Sequence, residues 1–273
     1  MPENRLEKIF PARPFLIGMV HLPALPGSPN YGGGFDAVIQ RAQHEARLLQ
    51  GCGFDGVLCE NLGDAPYFPD TVPQETIAAM AIIADRIKSS TALPVGINVL
   101  RNDAAAAMAI AAVAQLAFIR VNVLTGAMVT DQGLIQAQAH HVLRLRKNLQ
   151  ADRVAIFADL RVKHAAPLAD RDLAQEIEEY FERAGCSALI VSGAGSGKPV
   201  EVEFLRRVRS LIPHHTLVVG SGMAAASAAS ILAIADGAIV GTSIKIDGKI
   251  QNPIDQIAAE ELAKICRSLR RSN

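Results

Sequence analysis

Short apolar runs rich in valine, isoleucine and leucine recur at residues 15–22, 56–61, 95–100, 118–124, 154–161, 188–192, 217–222 and 238–243. Each run is followed by a polar or glycine-rich turn and then by a stretch of helical period. Their starts lie about 20 to 41 residues apart, the spacing of one strand plus one crossover helix. Three segments resemble one another: Gly51-Cys-Gly-Phe-Asp-Gly-Val-Leu, Ala184-Gly-Cys-Ser-Ala-Leu-Ile-Val and Ile234-Ala-Asp-Gly-Ala-Ile-Val-Gly. Each reads as a helix end, a tight turn and a buried strand. Eight such units without a Pro/Ser-rich linker predict an α/β chain folded as a single (β/α)8 TIM-barrel domain over residues 1–273. Its first strand starts near residue 15, and its C-terminal helix covers about 253–270. An open, doubly wound sheet is the alternative.

The eight loops after barrel strands converge on one mouth, so polar groups at strand ends become the candidate chemistry. The fourth run, Phe118-Ile-Arg-Val-Asn-Val-Leu, alternates with period two, putting Phe118, Arg120 and Asn122 on the face opposite Ile119, Val121 and Val123. With the apolar face against the helices, Arg120 and Asn122 point into the barrel. The same alternation in the fifth run sets Phe157, Asp159, Arg161 and Lys163 inside. Asn98 in the third run joins them, His21 ends the first run, Glu60 and Asn61 end the second, and His164 follows Lys163. Ionisable groups are costly in a purely structural core unless each finds a partner. A self-contained ion-pair network of Arg120, Asp159 and Glu60 is the structural alternative. His44, His140, His141, His214 and His215 fall in helical or turn segments and are expected at the surface.

Three late loops are unusually small in their side chains: Ser192-Gly-Ala-Gly-Ser-Gly-Lys, Gly220-Ser-Gly-Met and Gly241-Thr-Ser. Backbone N–H groups close on a phosphate only where side chains leave room, and barrels commonly hold phosphate in the loops after their last strands. The candidate phosphate-binding set is Gly193, Gly195, Gly197, Gly220, Ser221, Gly222, Gly241, Thr242 and Ser243. Ordinary tight turns are the competing explanation. The Gly-Lys pair at 197–198 is not a P-loop, because Ser192 and Pro199 stand where that motif needs Gly and Ser or Thr. Gly220-x-Gly222-x-x-Ala225 follows the seventh strand and lacks an acidic residue at the end of the next, so no nicotinamide cofactor is expected.

Composition narrows the function classes. Half of the chain is hydrophobic, 20% is charged and only 4% is aromatic, with no tryptophan, which suits helices on buried parallel strands and removes all-β folds. The 27 basic and 27 acidic residues cancel, and nucleic-acid binding by charge is excluded as an expectation. Cys52, Cys59, Cys186 and Cys266 form no Cys-x-x-Cys pair and read as reduced core residues. The polar first residues suggest no secretory signal, and the longest apolar run, 104–114, is shorter than the roughly 20 residues that span a bilayer. A cytoplasmic location is expected. No metal site is assigned and no resident cofactor is expected. A divalent cation held by His21, Glu60, Asp159 and His164 stays open without a supporting ligand spacing. A homo-oligomer is expected, with the Ala-rich stretch 104–116 buried either between subunits or against the barrel.

A set of motifs carries a family resemblance: His21-Leu-Pro-Ala-Leu-Pro-Gly-Ser-Pro29, Glu60-Asn-Leu-Gly-Asp-Ala-Pro66, Gly96-Ile-Asn-Val-Leu-Arg-Asn-Asp103, Ile119-Arg-Val-Asn-Val123 with Thr130-Asp-Gln-Gly133, Asp159-Leu-Arg-Val-Lys-His-Ala165, Val219-Gly-Ser-Gly222 and Val240-Gly-Thr-Ser243. In number and order they resemble the BtpA/SgcQ family from about residue 15 to 255. The resemblance implies a barrel of the ribulose-phosphate-binding kind. It also implies two functional settings: a peripheral thylakoid factor for photosystem I biogenesis or stability in cyanobacteria, and a setting suggesting sugar metabolism for SgcQ-like members. Leu62 replaces an aromatic of the family pattern, and Ala194-Gly195 stands where the family loop often reads Ser-Gly-Thr.

Two functions follow as expectations. One is an enzyme acting on a small phosphorylated metabolite, with isomerase, lyase or aldolase chemistry. Glu60 or Asp159 would be the base, His21 or His164 the acid, Asn98 and Asn122 polar neighbours, and Arg120 and Lys163 the oxyanion stabilisers, with Lys163 alternatively forming a Schiff base. The other is a non-catalytic assembly factor on a peripheral membrane complex.

Overall fold

A computed structural model of the chain describes residues 5–193 and 200–270. Its eight parallel strands are β1 (Phe15–His21), β2 (Gly56–Glu60), β3 (Val95–Asn98), β4 (Phe118–Val121), β5 (Ala155–Leu160), β6 (Ala188–Val191), β7 (Thr216–Val219) and β8 (Gly237–Val240). They close into a barrel in sequence order, with β8 paired to β1. One helix follows each strand: α1 (Phe35–Cys52), α2 (Gln74–Ser90), α3 (Ala104–Val113), α4 (Ala139–Asn148), α5 (Leu173–Glu182), α6 (Val202–Leu211), α7 (Ala225–Leu232) and α8 (Gln256–Ser268). All eight runs marked by the hydrophobic pattern are strands, and the closed barrel displaces the open-sheet alternative.

Alternation along the strands builds two apolar layers. Outward residues such as Leu16, Val20, Ile97, Ile119, Val121 and Ile156 pack beneath the helices. Inward residues Phe15, Ile17, Met19, Leu58, Phe118, Phe157, Ile190, Val218 and Ile239 fill the lower barrel. A short helix, Arg5–Ile9, closes the bottom and delivers Phe10, which stacks on Phe15 with ring centroids 4.3 Å apart and meets Phe118 and Phe157 edge-on. With the bottom filled by aromatic rings, polar groups have space only at the opposite, C-terminal end.

The Ala-rich helix α3 buries Ala104, Ala106, Ala107, Met108, Ile110 and Ala111 within the chain, so its composition reflects close approach to β3, β4 and the neighbouring helices. Asp103 caps it, accepting from the Ala106 N–H at 2.8 Å, and also accepts from the Val72 N–H at 2.9 Å, tying the loop after β2 to the start of α3. Cys52, Cys59, Cys186 and Cys266 are buried free thiols.

One element lies outside the eightfold pattern. Residues Ala127–Thr130 and Gly133–Gln136 form a hairpin in the loop after β4, and Ala165–Pro167 from the loop after β5 adds a third antiparallel strand. Val123, Met128, Ile135 and Val162 form its small core. The Thr130-Asp-Gln-Gly133 motif is the turn of this hairpin, closed by the Thr130 hydroxyl donating to the Gly133 carbonyl at 3.0 Å.

Candidate active site at the barrel mouth

Strand register aligns the candidate side chains. His21 pairs with Glu60 across β1 and β2, and Glu60 with Asn98 across β2 and β3, placing the three on one level of the wall. Arg120 and Asp159 follow on β4 and β5. Asn98 donates to Glu60 Oε2 at 2.7 Å, while Glu60 Oε1 lies 3.9 Å from His21 Nε2 and accepts no hydrogen bond among the described residues.

Arg120 and Asp159 form a two-point ion pair, Nε to Oδ2 at 2.9 Å and Nη2 to Oδ1 at 2.8 Å. Asn122 also donates to Asp159 Oδ2 at 2.9 Å, and the Ser192 hydroxyl lies 3.5 Å from Oδ1. The Asp159 carboxylate is therefore fully occupied by protein. Burial alone would lower the Arg120 pKa, but the charge and hydrogen bonds of Asp159 more than offset it and raise it. The ion-pair network read from the sequence exists for Arg120 and Asp159, and Glu60 stands outside it.

His21 is held well below its usual value of 6.5, first by burial and then by the positive charges of Lys245, Lys163, Arg120 and Arg41. It is a neutral imidazole at physiological pH, and its Nδ1 is buried without a hydrogen-bond partner among the described residues. Lys163 is lowered from 10.5, first by burial and then by Arg120, with Arg101 adding to this and Glu60 and Asp159 opposing it. Behind His21, Lys245 donates to Glu45 Oε2 at 2.8 Å in a fully buried pair that fixes the segment after β8 onto α1.

His21, Glu60, Arg120, Asn122 and Lys163 line a cleft with two lobes that share Glu60, Arg120 and Lys163. The first lobe encloses about 260 Å³ and is walled by His21, Gly220, Ser221, Gly222, Gly241, Thr242 and Ser243. Gly222 turns the chain at φ 79, a left-handed value suited to glycine, and the Gly241 backbone comes so near His21 that an added Cβ would sit 2.6 Å from its Cε1. The hydroxyls of Ser221 and Ser243 are buried without partners among the described residues, and so is Asn122 Oδ1. Hydrogen-bonding groups left open in one cleft mark where a polar ligand fits. Gly193 is buried beyond the end of β6, and Gly195 and Gly197 lie outside the described residues. The second lobe, of about 360 Å³, adds Tyr67, Arg101, Asn122, Asp131, Gln132 and His164. The hairpin turn supplies Asp131 and Gln132 to its wall.

The structure corrects Arg161. β5 ends at Leu160, and Arg161 takes φ 53, which turns its side chain out of the barrel to Glu176 Oε2 at 3.2 Å. Lys163 returns to the mouth two residues later, and His164 sits exposed at the rim. His21, Glu60, Asp159 and His164 are not drawn together: among the described residues, no three His, Cys, Asp or Glu side chains form a metal-binding group. No helix among the described residues is long and apolar enough to cross a membrane. Sequence reasoning passed over Tyr67, Arg101, Asp131 and Gln132. Arg101 follows β3 by three residues, so the strand-end rule that selected Asn98 also reaches it.

The BtpA family model matches residues 12–268. The chain belongs to the BtpA family. Within it, the chain is 43% identical over 258 residues to an uncharacterized protein of Thermococcus kodakarensis, covering 94% of this chain and 97% of the relative. It is equally 43% identical over 242 residues to the photosystem I biogenesis protein BtpA of Synechocystis, covering 89% of this chain and 84% of that one. In fold, this BtpA-family chain is similar to the (S)-3-O-geranylgeranylglyceryl phosphate synthase of Thermoplasma acidophilum, solved with sn-glycerol-1-phosphate. That likeness has a TM-score of 0.59 and 17% identity, and covers 98% of each chain.

Proposed function

We propose that the protein is an enzyme acting on a small phosphorylated metabolite through proton transfer next to a carbonyl, the chemistry of an isomerase, lyase or aldolase. The observation that carries this reading is the state of Glu60: one carboxylate oxygen is fixed by Asn98, and the other has no hydrogen bond among the described residues and faces the cleft, beside a neutral His21 and a partly desolvated Lys163. A base needs an open lone pair, and Glu60 has one where Asp159 has none.

The first lobe takes the phosphate. Its backbone N–H groups at 221–222 and 241–243, the hydroxyls of Ser221 and Ser243 and the start of α7 supply donors to an anion without bulky side chains in the way, while the Gly220 N–H is held by the Val191 carbonyl at 2.9 Å. The fold neighbour solved with sn-glycerol-1-phosphate supports the idea that such a barrel accepts a phosphate monoester. Glu60 removes a proton from substrate carbon, the Lys163 ammonium stabilises the enolate oxygen that develops, and neutral His21 donates or relays the proton. A lowered Lys163 pKa also suits Schiff-base formation with a carbonyl substrate. Arg120, Asn122 and Asp159 hold the wall that aims these groups.

A thermal-shift screen of the purified protein against phosphorylated sugars, nucleotides and divalent cations tests this reading, because a ligand that binds the folded state raises stability by mass action. A saturable shift with one phosphorylated compound, lost in Ser221→Ala/Ser243→Ala, is the expected result. No shift with any compound overturns it.

The identity to the Synechocystis relative favours a second reading, a non-catalytic assembly factor on a peripheral membrane complex. Under it, Glu60→Gln and Lys163→Met would leave partner capture intact. The equal identity to the Thermococcus relative keeps that reading second, since similarity alone does not select it. A homo-oligomer, also proposed here, draws no support from α3, whose small residues are used inside the chain.

A further inference from the structure

The second lobe holds two cations, Arg101 and Lys163, and although Glu60 and Asp131 also line it, neither carboxylate closes an ion pair with them. Arg101 is only 6% exposed, yet it lines this lobe and forms no ion pair among the described residues. Its guanidinium donates from Nη2 to the Lys163 carbonyl at 2.8 Å, a contact that fixes the group without balancing its charge. Among the described residues Lys163 likewise forms no ion pair within 4 Å, whereas nearby Arg120 is paired with Asp159. A buried, unpaired cation is costly, and proteins retain such groups where an anion arrives from outside.

Arg101 is also rigidly presented. Asn61 Oδ1 accepts the Leu100 N–H at 2.8 Å, the Arg101 N–H donates to the Phe68 carbonyl at 3.1 Å, and Asn102 clasps Val123, its Oδ1 accepting the Val123 N–H at 2.8 Å. A backbone tied on three sides keeps the guanidinium from folding out to solvent. Arg101 reaches only the second lobe, and the glycine loops reach only the first, while Lys163 borders both. A phosphate on the glycine loops therefore leaves Arg101 uncompensated, and this residue needs an anion of its own.

We infer that the second lobe is an anion site built by Arg101 and Lys163, so that the substrate carries two anionic groups: the phosphate on the glycine loops and a carboxylate or second phosphoryl group at Arg101. The inference deepens the proposed phosphometabolite reading and rests on it for the first anion only. Arg101 then selects doubly charged compounds, through the forked donor geometry that guanidinium offers to carboxylate and phosphoryl oxygens. Asp131, on the exposed rim of the same lobe, forms no ion pair with Arg101, and its charge disfavours anions that fail to reach the guanidinium.

Diffraction from crystals of the full chain soaked in selenate, with parallel soaks in acetate, tests this directly. Wild type is expected to show an anion within hydrogen-bond distance of Arg101, and Arg101→Gln to lose it while keeping selenate on the glycine loops. Occupancy by acetate alone assigns the site to a carboxylate, and occupancy by selenate alone to a phosphoryl group. An Arg101 lobe that stays empty of both anions overturns the inference, as does an anion that survives Arg101→Gln. An anion at Arg101 with none on the glycine loops upholds the second site and overturns the phosphate assignment of the first lobe. The wild-type soak decides even if the variant folds poorly.

Discussion

Arg120 and Asp159, on the adjacent strands β4 and β5, face each other at 2.8 and 2.9 Å through two parallel hydrogen bonds, both side chains almost wholly removed from water. Such a pair is worth little net stability when intact, because desolvation of both charges offsets their attraction, but removing one partner strands the other. Asp159→Asn leaves the Arg120 guanidinium buried without its counter-charge. It is expected to lower the unfolding free energy by about 3 to 5 kcal/mol, read by denaturant melts. Replacing both by hydrophobic residues, Arg120→Met with Asp159→Leu, should recover much of that loss. A double variant as unstable as Asp159→Asn would show that the pair itself is stabilising.

A second prediction concerns acid. In the unfolded chain His21 titrates near 6.5, and in the folded chain burial and neighbouring cations hold it well lower. Between those two values the unfolded state binds more protons than the folded state, so stability falls as pH drops below about 6.5, by up to about 1.4 kcal/mol per pH unit from this group. His21→Gln should flatten that slope, with the two curves converging in shape above pH 7. Melts from pH 5 to 8 check it, and parallel slopes in both proteins would remove His21 as the source.

A third prediction follows from the approach of the β8 loop to β1. A Cβ at residue 241 would lie 2.6 Å from His21 Cε1, so Gly241→Ala must displace the imidazole or the loop. Overpacking of this kind costs about 1 to 3 kcal/mol of stability, and the same displacement moves backbone donors off the phosphate position. The expected outcome is a folded protein whose midpoint for a phosphate monoester in thermal-shift titration rises by about tenfold or more, equivalent to about 1.4 kcal/mol. An unchanged midpoint would separate the loop after β8 from the phosphate.

How much of this was legible in the sequence depends on the range of the interactions involved. Period-two alternation in 118–124 correctly placed Phe118, Arg120 and Asn122 inside, because side-chain direction in a strand is a local property. The same rule failed at Arg161, where the strand had already ended at Leu160 and a positive φ reversed the direction. The third strand of the small sheet pairs Ala165 with Thr130, 35 residues earlier, and three- or four-residue runs carry too little pattern to announce themselves. The Lys245–Glu45 pair joins residues 200 apart, which no local reading connects. Which carboxylate was open also lay beyond the sequence: Glu60 and Asp159 look alike until their hydrogen bonds are placed.

That difference gives the sharpest prediction. Glu60→Gln keeps an amide oxygen to accept from Asn98, keeps the side-chain volume, and removes only the open basic lone pair. Stability should stay within about 1 kcal/mol of wild type, since no buried charge is stranded and the hydrogen bond survives. With whichever phosphorylated compound gives a saturable thermal shift, ligand binding should persist while turnover falls by about 100- to 10,000-fold, the range for loss of a general base. Asp159→Asn should show the opposite balance, a large loss of stability with a smaller fall in turnover per folded molecule than Glu60→Gln gives. If Glu60→Gln retains wild-type turnover, the base lies elsewhere and the open oxygen of Glu60 serves binding. If Asp159→Asn abolishes turnover while remaining folded, the roles assigned to the two carboxylates are reversed.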